Sequence, residues 1–219
     1  MDPGNLKLVP DELAKAVTRV LSPVLKPLGF RRFRKRDLVR IENGLAQSLY
    51  FQVSGWGGRE FCVTASVNLI AANEHQVLQP GFRLSRSADG GTLWLPSLTV
   101  EEAERSAQVI LASIEAQALP YFDRARTLDG FSALLGEEQW ASAHHLSFQR
   151  GVLAAVQGRI ASARLHLAQA IALYDEDGRE WCSSYIERAD QLLKALGEDD
   201  GAQLIATWHR SHLKAHGGT

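Results

Sequence analysis

The chain has 219 residues, 45% hydrophobic and 22% charged, with a formal net charge of −1. This is the balance of an ordinary soluble globular protein, long enough for one large domain or two small ones. No apolar run approaches the roughly 20 residues that cross a bilayer, which argues against a membrane span.

The first residues, MDPGNLKLVPDEL, lack the basic-then-apolar pattern of a secretory signal. Residues 11 to 28 then place Leu13, Val17, Val20, Leu21, Val24, Leu25 and Leu28 at helical spacing, with Asp11 as N-cap. Pro23 and Pro27 are expected to kink or shorten the later turns, and Gly29 to end them. From Phe30 the period changes. LVRIEN (38–43) and QSLYFQVS (47–54) read as strands joined at Asn43-Gly44, a pair that tolerates the positive φ of a tight turn. REFCVTASVNL gives a third strand, with Phe61, Val63, Ala65, Val67 and Leu69 on one face. Cys62, Thr64, Ser66 and Asn68 take the other face, which is small and polar. Residues 71 to 91 read as a polar loop, and TLWLPSL as a short further extended piece.

Thr99-Val-Glu-Glu starts a helix, with acidic residues in its first turn. From there to about His216 the pattern is helical, punctuated by Gly130, Gly136, Gly158, Gly178, Gly197 and Gly201. Charge changes at the same place. Residues 1–97 hold 13 Lys and Arg against 8 Asp and Glu, whereas residues 98–219 hold 11 against 17. The expected fold is α+β. A helix packs on an antiparallel meander in residues 1–97, and an all-helical bundle of hairpins follows in 98–219.

Motifs of phosphate cradles, dinucleotide folds and nucleophile elbows are missing from the sequence. Cys62 and Cys182 have no CxxC or Cys/His ligand spacing, so two buried reduced thiols and a cytoplasmic location are expected. His144 and His145 diverge by about 100° on a helix and cannot share one metal. His209 and His212 can share a face, but no third ligand is evident. The acidic groups Glu137-Glu138, Asp175-Glu176-Asp177 and Glu198-Asp199-Asp200 read as solvated turns. The chain is therefore expected to be non-enzymatic, with no cofactor and no metal.

The most pointed chemistry lies in Phe30-Arg-Arg-Phe-Arg-Lys-Arg36, where arginines can grip carboxylate or phosphate bidentately. The bland reading is an edge strand that carries charge to deter edge-to-edge pairing. Gln52 and Ser54 lie opposite Phe51 and Val53, as structural glue or as recognition groups. Trp56 sits among Gly55, Gly57 and Gly58, as a lid folded over the sheet or as an interface anchor. The candidate binding residues are Arg31, Arg34, Arg36, Gln52, Ser54, Trp56 and Arg59.

Two resemblances add to this reading. LKPLGF (25–30), the basic stretch after it, FQVS (51–54) and FCVTASVNL resemble a bacterial family catalogued as domain of unknown function 4304, over residues 10 to 125. The resemblance implies a helix on an antiparallel sheet and no established reaction. It also implies, for some relatives, a place beside toxin genes of the kind immunity proteins occupy. RGVLAAVQGRIASARLHLAQAIALYDED is similar to one tetratricopeptide unit around residues 145–175. Gly151, Ala163, Leu167 and Ala170 take its small-residue positions, and Arg150 and Asp175 depart from it. The expected function is a protein-binding module whose partner is another protein, a toxin among the candidates, with no membrane. The alternative is a nucleic-acid or nucleotide binder using the same arginines.

Overall fold

The computed structural model describes residues 11–55, 60–72, 80–84, 91–137 and 142–215. Asp11 caps helix α1 (Glu12–Ala16), its carboxylate accepting from the Ala14 N–H at 3.0 Å. The helix widens into a π turn over Val17–Leu21, resumes as α2 (Ser22–Leu25), and tightens to a 3-10 turn (Lys26–Leu28) that ends on left-handed Gly29. A second π turn, Ile114–Ala118, lies between α3 (Val100–Ser113) and α4 (Leu119–Arg124). Each π turn stops two residues before a proline, Pro23 or Pro120. Proline gives no N–H and crowds the carbonyl four residues back, and one widened turn ahead of it relieves that conflict without ending the helix. Leu13, Val17, Leu21 and Leu25 are buried, whereas Val24 and Leu28 stay exposed.

The antiparallel strands are β1 (Arg31–Phe33), β2 (Asp37–Glu42), β3 (Leu45–Val53), β4 (Glu60–Leu69), β5 (Gly81–Arg83) and β6 (Leu95–Pro96). They run in the order β1-β2-β3-β4-β5, with β6 pairing on β4 beside β5. The segment 71–91 is therefore more than a loop. A 3-10 turn (Ile70–Ala72) ends β4, and β5 lies inside the segment. Asn43 and Gly44 make the β2–β3 turn with φ of 51° and 78°.

The register sets two faces. Leu38, Leu45, Leu49, Phe51, Phe61, Val63, Ala65 and Val67 face the N-terminal helix within the main core. Val39, Ala46, Ser48, Cys62, Ser66 and Asn68 lie on the opposite face, and all of them are buried as well. The small polar face of β4 is covered over most of its length, and of its four residues Thr64 alone is half-buried. Leu213, near the end of the last helix, packs there against Val39, Ala46 and Ile70.

Thr99 and Glu102 form a capping box at α3, which packs on α1 and the first π turn. Helices α5 (Leu128–Glu137), α6 (Ala143–Val156), α7 (Ile160–Asp177), α8 (Cys182–Gly197) and α9 (Gly201–Ala215) follow. Gly130 and Gly136 lie inside α5 rather than between helices. Helices α6 and α7 form a hairpin in which Gly151 faces Leu167; Ala163, Leu167 and Ala170 are fully buried. The helical half grips the 3-10 turn at the end of β4. His212 Nδ1 donates to the Ile70 carbonyl at 2.8 Å, and Arg188 Nη2 to the Ala72 carbonyl at 3.1 Å. One hydrophobic cluster runs from Leu13 through the sheet to Trp208. No described helix is long and apolar enough to cross a membrane.

Candidate functional site

The basic run divides into two sets. Arg32 donates to the Ala14 carbonyl of α1 at 3.0 Å. Arg36 grips the Asp11 carboxylate through Nε at 2.9 Å and Nη2 at 2.7 Å, and Lys35 joins it at 3.0 Å. Burial pushes the Asp11 carboxyl up, but hydrogen bonds from Arg36, the Ala14 N–H and Lys35 outweigh it and leave the pKa below the ordinary value. Arg36 is therefore part of the scaffold that ties the β1–β2 turn to the helix start. Arg31 and Arg34 are exposed and make no ion pair among the described residues. Arg34, at φ 55°, lays its guanidinium 5.1 Å from the centre of the Phe33 ring. Strand β1 is the sheet's edge, which fits the edge-guarding reading of the run.

Gln52 has an internal partner. Arg83 on β5 donates through Nη2 to Gln52 Oε1 at 2.6 Å and through Nη1 to Cys62 Sγ at 2.9 Å. Ser54 closes the β3–β4 hairpin, its N–H donating to the Glu60 carbonyl at 2.9 Å. Trp56 and Arg59 lie outside the described residues. The β1–β2 turn and the end of β3 meet at the same end of the sheet, where Asp37 Oδ1 accepts from the Phe51 N–H at 3.0 Å.

At this end the register lines up a row that sequence reasoning missed. Phe33 opposes Asp37, Asp37 lies beside Tyr50, Tyr50 opposes Thr64, and Thr64 opposes Arg83. The row crosses the sheet from edge to edge on its second face. Tyr50 is 40% exposed, and Phe33, Thr64 and Arg83 are half-buried. The alternation at Tyr50 was legible in the sequence. The contribution of Arg83 was not, because nothing local marks residues 81–83 as a strand.

Two buried polar clusters complete the inventory of titratable groups. Arg40, on the helix-facing side of β2, donates to Gln47 Oε1 at 2.6 Å and to the Leu28 carbonyl at 3.2 Å. Gln47 passes the chain on to the Phe122 carbonyl at 2.8 Å, so an arginine and an amide staple strands, helix and α4 together. The second cluster lies at the base of α6 and α7. His144 and His145 ring centres are 4.5 Å apart, and the rings pack among Tyr174, Trp181 and Tyr185. Tyr174 Oη and His145 Nδ1 share a hydrogen bond of 2.7 Å, while His145 Nε2 is buried with no partner among the described residues. Burial, helped by His144 and Arg179, lowers the His145 pKa to about 4, so the ring is neutral at pH 7. Adjacent histidines and the Trp181/Tyr185 spacing were the signals for this cluster. The packing that gathers them comes from the hairpin.

The thiols are free and buried. Burial pushes Cys62 up against the opposing charge of Arg83, and burial with the Asp177 carboxylate pushes Cys182 up. Both are held in the neutral form, which is a weak nucleophile. Among the described residues, no group of three His, Cys, Asp or Glu side chains is placed to hold a metal ion.

No curated protein and no solved structure shows a match to this chain. The family described as Domain of unknown function (DUF4304) matches residues 21–124, from the last residue of the first π turn to the last residue of α4. The match takes in α2, the sheet with its basic edge and Tyr50 row, and α3 through α4.

Proposed function

We propose that the protein is a non-enzymatic binding module that recognises an acidic surface on a partner protein with the Tyr50 end of its sheet. The observation that carries this reading is the Phe33–Asp37–Tyr50–Thr64–Arg83 row with Tyr50 40% exposed at its centre. Tyrosine and arginine dominate binding hot spots, because they bring large area for few rotatable bonds. Arg83 is already held by Gln52 and Cys62, so ordering it on a partner costs little entropy. Arg31 and Arg34 add positive charge that no carboxylate among the described residues answers within ion-pair distance, which suits steering toward an acidic surface. Arg36 is left out of the contact, since its charge is engaged with Asp11.

The finer form of the proposal is a toxin-neutralising immunity protein acting in the cytoplasm; the family resemblance supports it. The test is affinity capture on the full chain from nuclease-treated lysate, repeated with Tyr50→Ala and with Arg31→Glu plus Arg34→Glu. A protein captured by the natural chain, lost with Tyr50→Ala and captured less at high salt supports the reading. Retention that ignores both variants removes this end of the sheet from the contact. Capture that nuclease abolishes, with affinity falling steeply with salt, replaces the protein partner by nucleic acid.

A further inference from the structure

At the opposite end of the sheet, a cavity of about 400 Å³ lies between the β2–β3 turn and the helical half. Its walls are apolar. Leu69 from β4, Leu128 from α5, Val156 from α6, and Ile205 and Ala206 from α9 line it. His209, Arg210 and Asn43 join the lining as its polar groups. A volume of this size, apolar inside with a few polar groups, is the character of small-molecule sites, which favour junctions between structural units.

The charge at the opening argues for the sign of the ligand. Arg210 is exposed, and its guanidinium reaches Thr207 Oγ1 at 3.1 Å, with no carboxylate within ion-pair distance among the described residues. A shallower hollow of about 710 Å³ adjoins the cavity, sharing Asn43 and Leu128, and carries Arg159. Arg159 donates to Gln157 Oε1 and also has no carboxylate partner among the described residues. The acid lining that hollow, Asp129, accepts from Gln157 Nε2 at 2.8 Å. Among the described residues, then, two guanidinium groups without a carboxylate partner stand here, Arg210 on the cavity wall and Arg159 in the adjoining hollow.

We propose that this cavity binds a small amphiphile with an aliphatic chain and a carboxylate head. The chain lies along Leu69, Leu128, Val156 and Ile205, and the head is taken by Arg210. A carboxylate suits one planar guanidinium, which it can meet bidentately. The site is independent of the Tyr50 surface, which occupies the other end of the sheet.

Sodium decanoate below its micelle-forming concentration is the probe, titrated into the full chain by calorimetry. The expected result is saturable binding of one molecule per chain. Decyltrimethylammonium, with the same tail and the opposite charge, should bind at least about tenfold more weakly. Arg210→Gln should weaken decanoate binding at least about tenfold, since the charge-assisted contact to the carboxylate is lost. Ala206→Phe should fill the tail's space and abolish saturable binding. Ala206→Met, a smaller change, should weaken it. Equal binding of the two amphiphiles overturns the proposal, as does failure of decanoate to saturate. So does a folded Ala206→Phe variant that binds as the natural chain does. If Ala206→Phe does not fold, unchanged affinity in both Ala206→Met and Arg210→Gln overturns it instead.

Discussion

The sheet half and the helical half solve the problem of a unique fold by different means. In the sheet half the decisive contacts join residues far apart in sequence, and several are polar. Gln47 bonds Phe122 across 75 positions, and Arg188 reaches back 116 positions to Ala72. In the α6–α7 hairpin the partners are near neighbours, and fit is steric: a Cβ on Gly151 would stand 2.7 Å from Leu167 Cγ. A buried hydrogen-bonded group tolerates one arrangement of its partners, whereas packed aliphatic surfaces tolerate several, unless a close approach fixes the register. Polar satisfaction therefore specifies the first half, and close approach specifies the second.

The largest test of that contrast is Gln47→Ala. It strips a buried arginine of its shortest acceptor contact and the Phe122 carbonyl of its donor, and should cost about 3 kcal/mol in a denaturation experiment. The apolar pair Gln47→Leu with Arg40→Met should recover most of that loss, since replacing both members removes the buried charge along with its lost acceptor. A cost no larger than that of a surface change would break the comparison.

Next comes pH. The folded pKa of His145, about 4, lies below the ordinary 6.5, so the unfolded chain binds more protons between those values. Stability from this group is fully present above about pH 6.5 and falls as pH drops toward 4, by about 3 kcal/mol in all. His145→Asn should flatten the fall in unfolding midpoint between pH 7 and 5. An equally steep fall in the variant would assign it to other groups.

Gly151→Ala should destabilise by about 1–2 kcal/mol, even though alanine is the better helix former. The clash is with Leu167 Cγ at 2.7 Å, in a fully buried side chain, and with the Leu167 backbone nitrogen at 3.2 Å, which cannot swing aside. Combining it with Leu167→Ala should cost less than the sum of the two, because the smaller side chain makes room. Simple additivity would mean the helices do not meet at this glycine.

Asp11→Ala follows, at about 1–2 kcal/mol, from loss of the N-cap together with the Arg36 and Lys35 contacts. The smallest effect is expected for Arg124→Ala. Its partner Glu137 is exposed like itself, and such pairs rarely register in a melting curve.

Much of the α+β fold was legible because local physics writes it into the chain. Alternation at Phe61, Val63, Ala65 and Val67 marks a strand with one apolar face, and Asn43-Gly44 marks its hairpin. Asp11 and Thr99 with Glu102 mark helix starts, because caps must answer free N–H groups wherever they occur. Three-residue strands such as Gly81–Arg83 carry no period of their own, so β5 was hidden in an apparent loop. The candidate site was half legible for the same reason. Arg31 and Arg34 announce a basic edge in sequence, but whether an arginine is free depends on what folds beside it. Only the tertiary structure engaged Arg36 with Asp11, gave Arg83 to Gln52, buried the polar face of β4 under chain from far away, and left Tyr50 open. The sequence by itself determined which segments repeat with period two or 3.6, because that information lies within a few neighbouring residues. Partners of charged and polar groups were decided by tertiary packing, because a guanidinium or an amide finds its acceptor by distance in space, and that distance exists only once the chain has closed on itself.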